Sequence, residues 1–152
     1  MSTIDLHKLL DYAGELASQE FVGKKAMVAF CVLVDPTGER TVVAVETGSR
    51  YENISQYAKL RQLMRDCGTV AYAWVSEAWR APIEPGKSDF TPPSEHPGRQ
   101  EQVITFAGDG INSLVRLWDI RRDYKGSVVA LVKSHEAPSS CGPLTNLLSA
   151  RA

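Results

Sequence analysis

Glu77, His96, Arg99 and Glu101 are the residues of this chain whose types and spacing could do chemistry. General acid–base work needs a tuned histidine or carboxylate within hydrogen-bond reach of a substrate. Three of the four sit in one dense polar stretch, Ser94-Glu95-His96-Pro97-Gly98-Arg99-Gln100-Glu101, where acid, base and imidazole crowd together. Glu77 stands apart, as the one charge on the Ala73–Val75–Trp79 face of an otherwise apolar run. Burial beside tryptophan would raise the pKa of such a carboxylate, a catalytic arrangement in some enzymes. The alternative is structural. Glu95, Arg99 and Glu101 then pin a long loop by hydrogen bonds and ion pairs, with Arg99 paired to Glu77 or Glu101.

Other chemistry finds little to stand on. The chain has no GxGxxG, P-loop, HExxH or GxSxG motif. His96, His135, Cys141 and Glu77 could be recruited to a metal, but none forms a pair at ligand spacing, so neither a metal nor a cofactor is expected. His7 reads as a surface residue of a helix. Cys31 lies inside an apolar strand with no base near it in sequence, which suits a small core residue better than a nucleophile.

The elements that must position these residues follow from periodicity. Leu6, Leu9, Leu10, Ala13, Leu16 and Ala17 recur at helical spacing and predict a helix over about 3–21, with Ser2 or Thr3 as cap, Asp5 in the first turn and Gly23 at its end. Residues 26–34 form a nearly continuous apolar strand. A Pro-Thr-Gly turn and an alternating strand over 40–47 complete a hairpin. Asn53 and Gln56 have capping-box spacing, so a second helix is expected over 53–67, stopped by Gly68. A core strand over 69–80 carries Glu77.

Four of the eight prolines (Pro85, Pro92, Pro93 and Pro97) fall in the excursion that follows, just after Pro82. Structureless loops of this length are uncommon inside a domain and are usually functional or disordered. Strands over 102–107, 113–121 and 127–133 then form an antiparallel meander, with Leu114, Trp118 and Ile120 on one face of the second. The fold class is therefore α+β, a single domain over 1–135 with two helices on a mostly antiparallel sheet of about five or six strands. The order is α-β-β-α-β-β-β-β, and residues 136–152 form a C-terminal tail.

Composition excludes several partners. The chain has 152 residues, enough for one domain with its own core, and 43% hydrophobic and 23% charged residues. A net charge of −1 gives no reason to expect nucleic acid. No apolar run is long enough to span a membrane, and no secretory pattern opens the chain. Cysteines at 31, 67 and 141 have no CxxC spacing and are expected to be reduced, which places the protein in the cytoplasm.

Three segments carry a resemblance: Val75-Ser76-Glu77-Ala78-Trp79, Pro93-Ser94-Glu95-His96-Pro97-Gly98-Arg99, and Trp118-Asp119-Ile120-Arg121-Arg122-Asp123. Over about residues 69–123 the chain resembles a group of small uncharacterised prokaryotic and phage-associated proteins with a SEAW strand, a PSEHPxR loop and a WxIxRD strand. The resemblance implies a prokaryotic or mobile-element origin and brings no activity with it. The order of elements is also similar to that of roadblock-type dimerisation modules, which act as adaptors. The His96-Pro97 loop resembles that of JAMM-type metalloproteases, whose HxH element is absent here.

Two functions are open. One is a non-catalytic interaction protein, an inhibitor or adaptor that contacts its partner through Trp79, His96, Arg99, Trp118 and Arg121. The other is a small hydrolase-like enzyme using Glu77, His96, Arg99 and Glu101. Residues 127–132, Ser-Val-Val-Ala-Leu-Val, carry no charge or proline, and as the last meander strand they are expected at or near a sheet edge, where they invite a homodimer.

Overall fold

The computed structural model describes residues 4–45, 50–80 and 100–138, without the side chains of 50–54, 79 and 80. Helix α1 runs Leu6–Phe21. Its cap is Asp5 rather than Ser2 or Thr3: the carboxylate accepts from the N–H groups of His7 and Lys8 at 3.0 and 3.3 Å. Val22 then turns extended and Gly23 takes φ +85°, a conformation that costs glycine little.

Strands β1 (Phe30–Val34) and β2 (Arg40–Ala44) form the expected hairpin. Helix α2 runs Arg50–Asp66, three residues earlier than Asn53, because Arg50 and Glu52 are compatible with helix and prolong it backwards. The rest is β3 (Ala71–Arg80), β4 (Gln100–Gly108), β5 (Ser113–Arg122) and β6 (Val128–Pro138). All six strands share one antiparallel sheet in the order β2-β1-β3-β4-β5-β6. The α+β class and the order of elements are as expected from sequence. β2 ends at Ala44 where 47 was expected, β3 starts at Ala71 rather than 69, and β4 runs Gln100–Gly108 rather than 102–107. The largest differences are in β1 and β6. β1 starts at Phe30, not 26, and β6 continues to Pro138, five residues past the expected end.

Alternation along β3 sorts the core. Ala71, Ala73 and Val75 face α1, which settles Leu9, Leu10, Ala13, Ala17 and Phe21 onto them and onto Val32, Val103 and Ala107. Small residues there let the helix approach closely. Gly14 touches the ring of Trp118, and a Cβ at that glycine would lie 2.5 Å from the ring. On the other face Tyr72 and Trp74 join Cys31, Leu33 and Phe106 beneath Leu60 and Met64 of α2. Cys31 is fully buried, and burial pushes its thiol well above the usual range, which fits a core role. Among the described residues no helix is long and apolar enough to cross a membrane.

Candidate functional site

Residues 22–29, which join α1 to β1, form a strap across one end of the α1 face of the sheet. At β6, Val128 accepts from Gly23 N–H at 2.7 Å and donates to the Lys24 carbonyl at 2.9 Å. At β5, Arg122 Nη1 donates to the carbonyls of Lys25 (3.1 Å) and Gly126 (2.6 Å). The same guanidinium grips Glu101 of β4 with two bonds, Nε to Oε2 at 2.7 Å and Nη2 to Oε1 at 2.9 Å. At β3, Glu77 Oε1 accepts the Met27 N–H at 3.0 Å. The strap ends at Ala29, whose carbonyl accepts from Val45 N–H at 2.8 Å. Val128, Arg122 and Glu77 are thus successive holdfasts on three strands, with Glu101 of β4 bracing Arg122.

The electrostatics follow from this geometry. The bonds to Glu101 hold the Arg122 guanidinium further above its already high range, and the charge of Glu77 adds to the effect. The Phe21 ring centroid lies 5.7 Å from the same guanidinium. Two carboxylates and one cation leave the row with a net charge of −1. A pocket of about 310 Å³ opens between the strap and the sheet, walled by Met27, Ala29, Ser76, Glu77, Ala78, Glu101 and Ile120.

Glu77 and Glu101, which the hydrolase reading groups together, line the same pocket. The arginine that serves Glu101 is Arg122, which takes both carboxylate oxygens, where sequence reasoning offered Arg99. His96 and Arg99 lie outside the described residues, as does the side chain of Trp79. Trp118 is engaged within the fold, its ring against Gly14 and its Nε1 donating to Thr105 Oγ1 at 3.0 Å. Arg121 is exposed on the opposite face, 4.0 Å from Asp119. Among the described residues no three potential ligands group closely enough to hold a metal.

Sequence reasoning missed a second arginine. Arg116 is only 4% exposed. Its Nε donates to Glu136 of β6 at 2.7 Å and its Nη1 donates to Asp11 of α1, so one buried cation ties helix to sheet edge. His7 of α1 lies 3.4 Å from the other oxygen of Glu136. Burial works against the Arg116 charge, but the bonds to Asp11 and Glu136 outweigh it and hold the guanidinium above its ordinary range. In return the Arg116 bond holds the Glu136 carboxyl below the usual range. A signal was present in the sequence. The face carrying Leu114, Trp118 and Ile120 also carries, by strict alternation, Arg116 and Arg122. An arginine on a covered face needs a carboxylate.

No family model, curated protein or solved structure matches this chain.

Proposed function

We propose that the protein is a non-catalytic protein-binding module with β6 as its contact edge. In this reading it is a cytoplasmic inhibitor or adaptor, encoded by a phage or mobile element and acting on a host protein complex. The observation that carries it is the character of β6. The strand is eleven residues long and last in the sheet, and among the described residues β5 is its only neighbouring strand. The strap covers the first residue alone, through Val128. Beyond it Val129 and Val132 are 52% and 43% exposed, and residues 127–132 carry no charge. Native edges are usually blunted by lysine, proline or a bulge. β6 is irregular against β5 at Val129 and at Ser134, so the regular part of the edge is residues 130–133. That short stretch suits strand addition by a partner, where main-chain bonds give affinity and alternate side chains give selectivity. Arg121, opposite Ala130 in the register, borders this edge with an exposed cation.

The phage or mobile-element origin rests on the resemblance over residues 69–123 alone. The test is capture from a bacterial lysate on immobilised parent protein and on Val129→Lys, with Val42→Lys at the far edge as control. A partner held by the parent and the control but released by Val129→Lys is the expected result. Equal capture by all three refutes β6 as the contact. Gel filtration with light scattering on the same proteins tells a second copy from a foreign partner. A parent that stays monomeric at high concentration rules out the homodimer. The pocket beside Glu77 favours a second reading, a small hydrolase using Glu77, His96, Arg99 and Glu101. Metal-dependent turnover of a phosphoester, nucleotide or peptide, abolished in His96→Ala without loss of melting temperature, would establish it.

A further inference from the structure

The sheet has a second opening, independent of β6. Strand β3 has ten residues and β1 has five. Their register runs from Val34↔Ala71 to Phe30↔Val75, after which β3 continues to Arg80 with β4 as its only partner among the described residues. Had β1 begun at residue 26, Val28 would stand opposite Glu77. Instead the Glu77 side chain takes the Met27 N–H, and Val28 is 68% exposed.

The backbone groups left over can be identified. Asp109 N–H donates to the Asn112 carbonyl across the β4–β5 hairpin, so odd residues of β4 face β5 and even ones face β3. Gly108 is paired with Tyr72, Ile104 with Ser76 and Gln102 with Ala78, so the even residues of β3 face β4. Glu77 and Trp79 therefore aim their N–H and C=O groups at the side where β1 has ended. The β1 side agrees: Ala29 bonds Val45 of the hairpin partner, which turns Phe30, and its partner Val75, toward each other. Among the described residues no strand meets Glu77 and Trp79 on that side, and backbone groups of this kind seek partners.

The pocket of about 310 Å³ lies at this gap, with Ser76, Glu77 and Ala78 in its wall. Arg122 makes its ion-pair contact with Glu101, whereas Glu77 acts on that guanidinium only through space and has no ion-pair contact among the described residues. Met27, Ala29, Ala78 and Ile120 supply apolar wall for an aliphatic stem. The geometry points to a slot in the sheet where an extended peptide adds as a short strand beside β3, in line with β1, and sets a lysine or arginine against Glu77. Residues directly opposite on one sheet face have Cβ atoms roughly 4.5–5.5 Å apart, within reach of an ion pair. The cation therefore belongs at the peptide position facing Glu77.

The experiment titrates the full chain with a fluorescein-labelled hexapeptide of alternating valine and threonine around one lysine, read by fluorescence polarisation. Two comparison peptides carry glutamate in place of lysine, or N-methylated backbone amides. Saturable binding is expected for the lysine peptide. Binding should be about ten-fold weaker for the glutamate peptide and about five-fold weaker for Glu77→Gln, and lost for the N-methylated peptide. Glutamine keeps an acceptor for the Met27 N–H, so an unchanged melting curve shows that the variant is folded. In the parent, the amide resonances of Glu77 and Trp79 should shift on binding. Shifts confined to Val128–Pro138 overturn the slot and leave β6 as the contact. Equal affinity for lysine and glutamate peptides overturns it as well. So does exchange protection of the Glu77 and Trp79 amides in the free protein together with no binding up to roughly 1 mM, since the slot is then filled from within the chain.

Discussion

Replacing Arg122 with methionine removes two bonds to Glu101 and the bonds to the Lys25 and Gly126 carbonyls. Hydrogen bonds to charged groups are worth about 1.5–3 kcal/mol each, but four of them on one side chain do not add. The Arg122 and Glu101 side chains are 22% and 32% exposed, so water replaces part of what is lost. The effect lies between an exposed pair, about 1 kcal/mol or less, and the breaking of a buried one, about 3–5 kcal/mol. About 2–4 kcal/mol is expected, or roughly 5–15 °C in melting temperature for a domain of this size. Methionine keeps an apolar stem near Phe21, so the loss reports the polar contacts. Urea unfolding of Arg122→Met, Glu101→Gln and the double variant gives the coupling between the pair. Arg121→Met is the control: Arg121 is 57% exposed and only 4.0 Å from Asp119, so it should change stability by less than about 0.5 kcal/mol. If the two arginine variants melt together, or the Arg122–Glu101 coupling is zero, the strap is not held as described.

Two further outcomes are expected. Gly14→Ala would by helix propensity alone stabilise α1 by about 1 kcal/mol, but its Cβ would lie 2.5 and 2.7 Å from atoms of the Trp118 ring, which Thr105 holds in place. Overpacking costs about 1–3 kcal/mol, so urea denaturation should show a net loss of up to about 2 kcal/mol, and a gain would contradict the close approach. For Glu136, the folded carboxyl titrates below its unfolded value because Arg116 bonds it. Its contribution is therefore present above the unfolded pKa, about 4.3, and is lost as pH falls through the lower folded value. The parent should lose urea resistance on acidification below about pH 4.3, and Glu136→Gln should be weaker at pH 7 with a flatter acid limb. An unchanged acid limb would count against the pair.

Most of the fold was legible because each element declares its own period. The stripe from Leu6 to Ala17, the hairpin turn at Pro36–Gly38 and the alternation of β5 need no distant information. The polar site was half legible, and the reason is geometric. Glu77 and Glu101 can be flagged as charges on or beside apolar runs. Their partners, Met27 N–H and Arg122, lie 50 and 21 residues away in sequence and are chosen by the strand order. Arg99, two residues from Glu101, was the arginine that sequence proximity offered. Arg99 lies outside the described residues, and Arg122 is the arginine that the register brings to Glu101. The same blindness explains β1. Residues 26–34 read as one apolar strand because Val28 and Ala29 fit it, yet nothing local reveals that 22–29 are needed to cross the sheet.

The crossing accounts for the slot. Helix α1 ends at β6, where Val22 bridges to Val128, while the next strand, β1, lies beyond β5, β4 and β3 in the sheet. From β6 to β1 the chain must cover four strand spacings of about 4.8 Å each. The eight residues available reach at most about 26–29 Å when fully extended. The crossing takes about 19 Å of that reach, so most of the strap is spent on crossing the sheet and few residues are left to run beside β3 before β1 begins at Phe30. The open backbone of Glu77 and Trp79 is thus a consequence of topology and linker length. Glu77 keeps the opening clear by holding the strap with one carboxylate oxygen. An insertion that lengthened the strap would allow residues 26–29 to close onto β3. The crossing strap therefore goes with two open stretches in one small sheet, β6 on the outside and the end of β3 within.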